Sequence, residues 1–86
     1  MKEYEKTLKA LANRRRLQII KYLKDKKTAT VTDIAGHIKL SFKSTSKHLA
    51  VLFGAGIVDK EQKNLSMFYS VAEPLSKLAK QVIGLI

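Results

Sequence analysis

The chain has no cysteine, no tryptophan and a single proline. Without cysteine there can be no disulfide, no thiolate metal site and no thiol nucleophile, and the redox compartment is left open. No apolar run approaches the roughly 20 residues that span a bilayer as a helix. The opening Met1-Lys2-Glu3-Tyr4 is charged and lacks the apolar stretch of a signal peptide. These features lead to the expectation of a soluble, cytoplasmic protein with no membrane partner. Catalytic constellations are missing too: no acid pair near a histidine, no glycine-rich phosphate loop, no activated nucleophile. An enzyme is not expected.

Acidic residues are scarce, seven against 17 Lys+Arg, which leaves a formal charge of +10 on 86 residues. Such a surplus repels itself, and a polyanionic partner is the usual reason to keep it. The scarcity is sharpest between Ile34 and Val58, where no acid occurs at all. Aromatic residues make up only 7%. Binding to RNA or single strands relies on exposed rings for stacking. Tyr22, Phe42, Phe68 and Tyr69 are the candidates here, and most of them are expected in the core.

What is present has globular composition, 45% apolar and 28% charged. The length suits one small domain, residues 1–86. A domain of this size buries only about 60% of its unfolded surface, so its core is thin and pairing with a second copy would help. Met1, Tyr4, Leu8 and Leu11 recur at steps of three and four, which predicts an amphipathic first helix. Asn13 can cap a second helix carrying Leu17, Ile20 and Leu23. Thr28 to Val31 reads as a very short strand, and Thr32 as the cap of a third helix with Ile34, Ala35 and Ile38 inward. A turn at Lys39-Leu40 leads to Ser41, which can cap a fourth helix over 41–53. Gly54 and Gly56 stop it. Strands follow at Val58–Gln62 and Ser66–Val71, joined at a Lys63-Asn64 corner. Pro74 suits the first turn of a fifth helix. The predicted fold class is mainly α with a small β-hairpin, a winged helix-turn-helix.

Placed at about 100° per residue, the fourth helix directs Thr45, Leu49 and Leu52 to the core. Lys43 and Lys47 stand opposite, with Ser44, Ala50 and Val51 beside them and Ser46 and His48 at the margins. Small residues let a helix backbone enter the major groove of DNA. Lysine meets phosphate or guanine edges, and serine bonds to either. The N-terminus near Ser41 adds a partial positive charge. An acid on this face would meet phosphate repulsion.

The stretch "LKALANRRRLQIIKYL" resembles the opening of ArsR-type winged-helix transcriptional regulators. "DIAGHIKLSFKSTSKHLAVLFGAGIV" is similar to their helix-turn-helix, most specifically at Ser46-Lys47-His48-Leu49 and at the "AGIV" ending, and "SMFYSV" to the second strand of their wing. The resemblance runs from about Leu8 to Val71. It implies a dimeric winged helix that binds operator DNA, commonly as a repressor released by a ligand, and it places Lys43, Ser44, Ser46, Lys47 and His48 at DNA-reading positions. Arg16 matches a structural position of the family.

The chain departs from the family pattern at Phe42, where a polar residue is usual. Phe42 either packs at the helix entrance or meets a thymine methyl. Leu65 replaces a frequent arginine at the wing tip, leaving Lys60, Lys63 and Asn64 for phosphates. The family's metal ligands are missing from the third helix, "VTDIAGHI", and from the last, "PLSKLAKQVIGLI". His37 and His48 lie on different helices, so neither metal nor another cofactor is expected. Arg14-Arg15-Arg16 opposes the dipole at the start of the second helix. Either Glu3, Glu5 or Asp33 neutralises it, or DNA phosphate does, with Arg14 and Arg15 as the candidates for backbone contacts.

The first helix presents Tyr4, Leu8 and Leu11, and the last presents Leu75, Leu78, Val82, Leu85 and Ile86. Together these stripes predict a homodimer on a near-palindromic operator. The rival reading is a winged helix that binds another protein within a larger transcription or processing complex.

Overall fold

The computed structural model describes all residues from Met1 to Ile86. Its order is α1 (Lys2–Leu11), α2 (Arg14–Lys26), β1 (Ala29–Thr30), α3 (Val31–Ile38), α4 (Phe42–Gly54), β2 (Val58–Lys63), β3 (Ser66–Val71) and α5 (Lys77–Gly84). The molecule is a winged helix-turn-helix, in which α3 and α4 form the helix-turn-helix and β2–β3 the wing.

The predicted cap of α2 is present: the Asn13 side chain accepts from the Arg16 N–H at 3.1 Å. The cap of α3 is Thr30, not Thr32. Thr30 accepts from the Asp33 N–H at 3.2 Å, and the Asp33 carboxylate accepts from the Thr30 N–H at 3.4 Å. This reciprocal box needs an acid or amide three residues after the cap. Thr30 has Asp33 in that place, whereas Thr32 has only Ala35.

The short strand is paired, so the sheet has three strands in the order β1-β3-β2. Ala29 lies opposite Tyr69 and Thr30 opposite Phe68. The hairpin runs antiparallel from Val58↔Val71 to Lys63↔Ser66. Lys63 therefore ends β2, and the turn is Asn64-Leu65, with Asn64 at φ 57.

The last helix also begins later than expected. Ser76 caps it, accepting from the Ala79 N–H at 3.2 Å. Pro74 and Leu75 stay in the preceding loop. A serine hydroxyl can satisfy one of the orphan N–H groups of a first turn, and proline can only tolerate their absence. With that start, Ala79 and Ile83 turn into the core.

Every helix contributes to one core. Ala10 and Leu11 come from α1, Ile19, Ile20 and Leu23 from α2, Ile34 and Ile38 from α3, Leu49 and Leu52 from α4, and Ala79 and Ile83 from α5; Ala29, Ile57 and Val58 complete it. Leu49 is fully buried and ties α4 to the rest. Truncation of Leu49 to alanine is expected to cost about 2–5 kcal/mol, the range for a large buried aliphatic side chain that leaves a cavity. Urea unfolding of wild type and Leu49→Ala measures it directly.

Candidate nucleic-acid interface

The turn between α3 and α4 is fixed by backbone geometry. Lys39 adopts the left-handed conformation, φ 55 and ψ 53, and its N–H bonds back to the Ala35 carbonyl. The Leu40 N–H reaches that same carbonyl at 3.0 Å. Ser41 then caps α4, accepting from the Ser44 N–H at 3.1 Å. No acid stands in the first turn of α4, so the dipole's positive end is open.

The two faces of α4 separate as the periodicity requires. Thr45, Leu49 and Leu52 are buried, and Lys43, Lys47, Ala50 and Val51 are exposed. Ser44, Ser46 and His48 are half-buried along the margins. The chain's ion pairs are Lys21–Asp25 and Lys63–Glu61, both at 3.8 Å. Lys43 and Lys47 belong to neither, so both ammonium groups face solvent uncompensated.

Two arginines of the triplet, Arg15 and Arg16, are engaged by groups other than the acids considered from the sequence. No arginine forms an ion pair. Arg15 donates to the Ile38 carbonyl and to Gln18 Oε1. Arg16 donates through Nε to the Ala10 carbonyl at 2.6 Å and through its second terminal nitrogen to the Lys9 carbonyl at 3.0 Å. These carbonyls belong to the last turns of α3 and α1, which carry partial negative charge and lack partners within their own helices. Two helix C-termini thus receive two guanidinium groups. Arg15 is held as a brace on the helix-turn-helix corner, which differs from the free backbone contact expected of it. Arg14 is exposed.

Arg16 also reaches α4. Its other terminal nitrogen lies 3.3 Å from His48 Nδ1. Burial, the charge of Arg16 and that of Arg15, in that order, push the His48 pKa below its ordinary value. Sequence reasoning missed this contact, because it joins residues 32 positions apart.

On the wing, two of the three expected phosphate contacts already have neighbours in the chain. The Lys60 ammonium sits 4.5 Å from the centre of the Phe53 ring, at the far end of α4. Lys63 pairs with Glu61 at the solvent surface, an interaction of small net worth. Asn64 and Leu65 form the tip, and Leu65 is 99% exposed. Phe42, 60% exposed, does not bury itself at the helix entrance. It shares a shallow cleft with Leu65, Met67 and the start of α3. The two departures from the family pattern therefore lie together, on one cleft.

The apolar stripes divide as well. Met1, Tyr4, Leu8 and Leu85 are exposed, while Leu75, Leu78, Val82 and Ile86 are half-buried. Leu11 is only 4% exposed and belongs to the protomer's own core. Its place in the expected interface is corrected accordingly: it follows Ala10 at the end of α1 and packs inward. Helices α1 and α5 touch each other, so what remains of the two stripes is adjacent. No three His, Asp or Glu residues come together in a way that could hold a metal ion. No helix is long and apolar enough to cross a membrane.

Residues 13–60 match a family described as bacterial regulatory proteins of the arsR family. Among characterised proteins, the chain is 37% identical over 65 residues to the transcriptional activator HlyU of Vibrio cholerae, covering 76% of this chain and 59% of that protein. It is 30% identical over 71 residues to the arsenical resistance operon repressor of Bacillus subtilis, covering 83% of this chain and 68% of that one. The solved structure of reduced HlyU superposes with a TM-score of 0.83 at 34% identity, over 96% of this chain and 83% of the other. A homodimeric winged helix-turn-helix DNA-binding domain from Mycobacterium bovis, Mb0332, superposes with a TM-score of 0.83 at 26% identity, over 98% of this chain and 74% of that one. The chain spans little more than half the length of the curated HlyU sequence.

Proposed function

Because the chain belongs to the ArsR family of bacterial regulatory proteins, we propose that it is a cytoplasmic, sequence-specific regulator of transcription that binds double-stranded DNA as a homodimer. Residues 1–86 act as one winged helix-turn-helix unit. The observation that carries this reading is the outward face of α4, where Lys43 and Lys47 are exposed without any acid to neutralise them. Helix α4 lies in the major groove. Lys43, Lys47, Ser44 and Ser46 meet base edges or phosphates, and Ser41 leads a helix N-terminus toward the backbone. Arg14, Lys63 and Asn64 supply flanking phosphate contacts. Regulation is by repression, as in the named function of the Bacillus subtilis relative; HlyU is named an activator. A genome-wide binding profile of the tagged protein tests the reading: discrete peaks upstream of genes support it, and uniform coverage sinks it.

A second reading, docking on another protein, draws on the exposed Val51 and Phe53 in the C-terminal half of α4. The salt dependence of binding separates the two. DNA binding weakens steeply with salt because counterions are released, and an apolar contact does not.

The aromatic ring at the head of α4 makes a specific claim. Phe42 is expected to read the C5-methyl of a thymine, an apolar contact that the major groove offers only at that base. Deoxyuridine in place of the contacted thymine removes the methyl and nothing else. It is expected to weaken wild-type binding about three- to fivefold, the worth of one buried methyl group. Phe42→Ala is expected to bind both duplexes alike. Anisotropy titrations of the two proteins on the two duplexes measure the coupling.

A further inference from the structure

Arg16 holds three elements at once. Its Nε and one terminal nitrogen bond the carbonyls of Ala10 and Lys9 at the end of α1, and its other terminal nitrogen meets His48 Nδ1 on α4. A guanidinium has five N–H donors, no acceptor, and does not lose its proton in proteins. The contact with Nδ1 is therefore a hydrogen bond only when that nitrogen carries a lone pair. In a neutral imidazole the proton must then sit on Nε2. The doubly protonated ring would turn an N–H toward Arg16 and abolish the bond. The low pKa of His48 agrees with this, since burial and the two arginines both disfavour the charged ring.

The second ring nitrogen has a different setting. Nε2 has no partner within the chain, yet the one buried side-chain polar atom without a partner is Thr45 Oγ1. Nε2 is thus open to solvent, on the margin of the helix that carries Lys43 and Lys47.

We infer that Arg16 is a positioning residue for DNA recognition, which locks His48 as the neutral Nε2–H form so that the helix presents one fixed N–H donor to an acceptor on the duplex. The acceptor is a phosphate oxygen or a base-edge oxygen or nitrogen, two sources of the same chemistry. The inference rests on α4 being the reading helix. It adds a donor whose direction is set from outside that helix, by a residue that also ties down the end of α1.

Nitrogen–proton correlation spectra of the ¹⁵N-labelled full chain test the lock, with His37→Gln assigning the other ring. The expected result at neutral pH is a His48 ring protonated on Nε2 alone, and in Arg16→Met a mixture of the two tautomers. On DNA, His48→Ala is expected to bind about tenfold more weakly, as for the loss of a hydrogen bond to a charged or polar acceptor. Gln places an amide N–H near the position of Nε2, and His48→Gln should recover most of that loss. Asn does not reach, and His48→Asn should not. A loss equal on every duplex marks phosphate as the acceptor, and a loss confined to one base pair marks a base.

These histidine variants test the donor even if Arg16→Met loosens the fold, and a folded Arg16→Met chain whose His48 ring stays protonated on Nε2 alone would overturn the lock. A His48 proton on Nδ1, an alanine variant as tight as wild type, or a glutamine variant as weak as alanine would each overturn the inference. A wild-type chain that binds no duplex selectively would overturn the reading beneath it, whereas the tautomer is read on the free protein and stands apart.

Discussion

Replacing Lys43 and Lys47 together by alanine is expected to remove most selective DNA affinity while leaving the fold intact. Both side chains are exposed and neither has an ion-pair partner, so truncation leaves no buried group unsatisfied. Each lysine that reads a guanine should cost about 1–3 kcal/mol at its own base pair. Each that meets a phosphate should instead weaken binding uniformly and flatten the salt slope by about one unit. A homodimer carries every contact twice, so four contacts vanish together. Titrations at several salt concentrations, with circular dichroism to confirm folding, separate these outcomes. A folded double variant with unchanged affinity and slope would remove α4 from the interface.

Breaking the proposed pairing surface is expected to have a still larger effect. Leu8 is exposed on α1 and Leu78 is half-buried on α5. The two helices touch, and Tyr4, Leu85 and Met1 continue their apolar surface. Burying that surface between two copies removes it from water at roughly 25 cal/mol per Å². It also places two reading helices about 34 Å apart, one turn of duplex. A charged pair, Leu8→Glu with Leu78→Glu, should leave a folded monomer. The second half-site then no longer binds as part of one molecule, and such linkage is worth about 10²- to 10⁴-fold. Sedimentation equilibrium at micromolar concentration reads the assembly, and the same sample reads the DNA affinity. A wild type that sediments as a monomer, or a double variant that keeps full affinity, would refute the homodimer.

The features legible in the sequence were the periodic ones. The buried face of α4 at Thr45, Leu49 and Leu52 follows from a 3.6-residue repeat and needs no knowledge of what covers it. The stop at Gly56, φ 73, and the caps at Asn13 and Ser41 follow from local backbone chemistry. The cap at Thr30 was legible as well, in the capping-box spacing from Thr30 to Asp33, although Thr32 was the cap expected. Two kinds of feature were not legible. The pairing of β1 with Tyr69 and Phe68 joins segments about forty residues apart, so the short strand was readable but its partner was not. The neutralisation of Arg15 and Arg16 depends on where α1 and α3 end in space, because their partners are backbone carbonyls, which no side-chain reading reveals. Leu11 shows the same limit: its spacing suits the exposed stripe of Tyr4 and Leu8, but it suits equally the buried face of Thr7 and Ala10, to which it belongs.

Selection of duplexes from a random-sequence pool by the purified chain, followed by titration of the enriched sequence, tests the central claim most directly. The account predicts two inverted half-sites whose centres lie about 10 base pairs apart, bound with a steep loss of affinity between low and physiological salt. A pool that emerges without any enriched sequence, bound no better than its starting material, would contradict it.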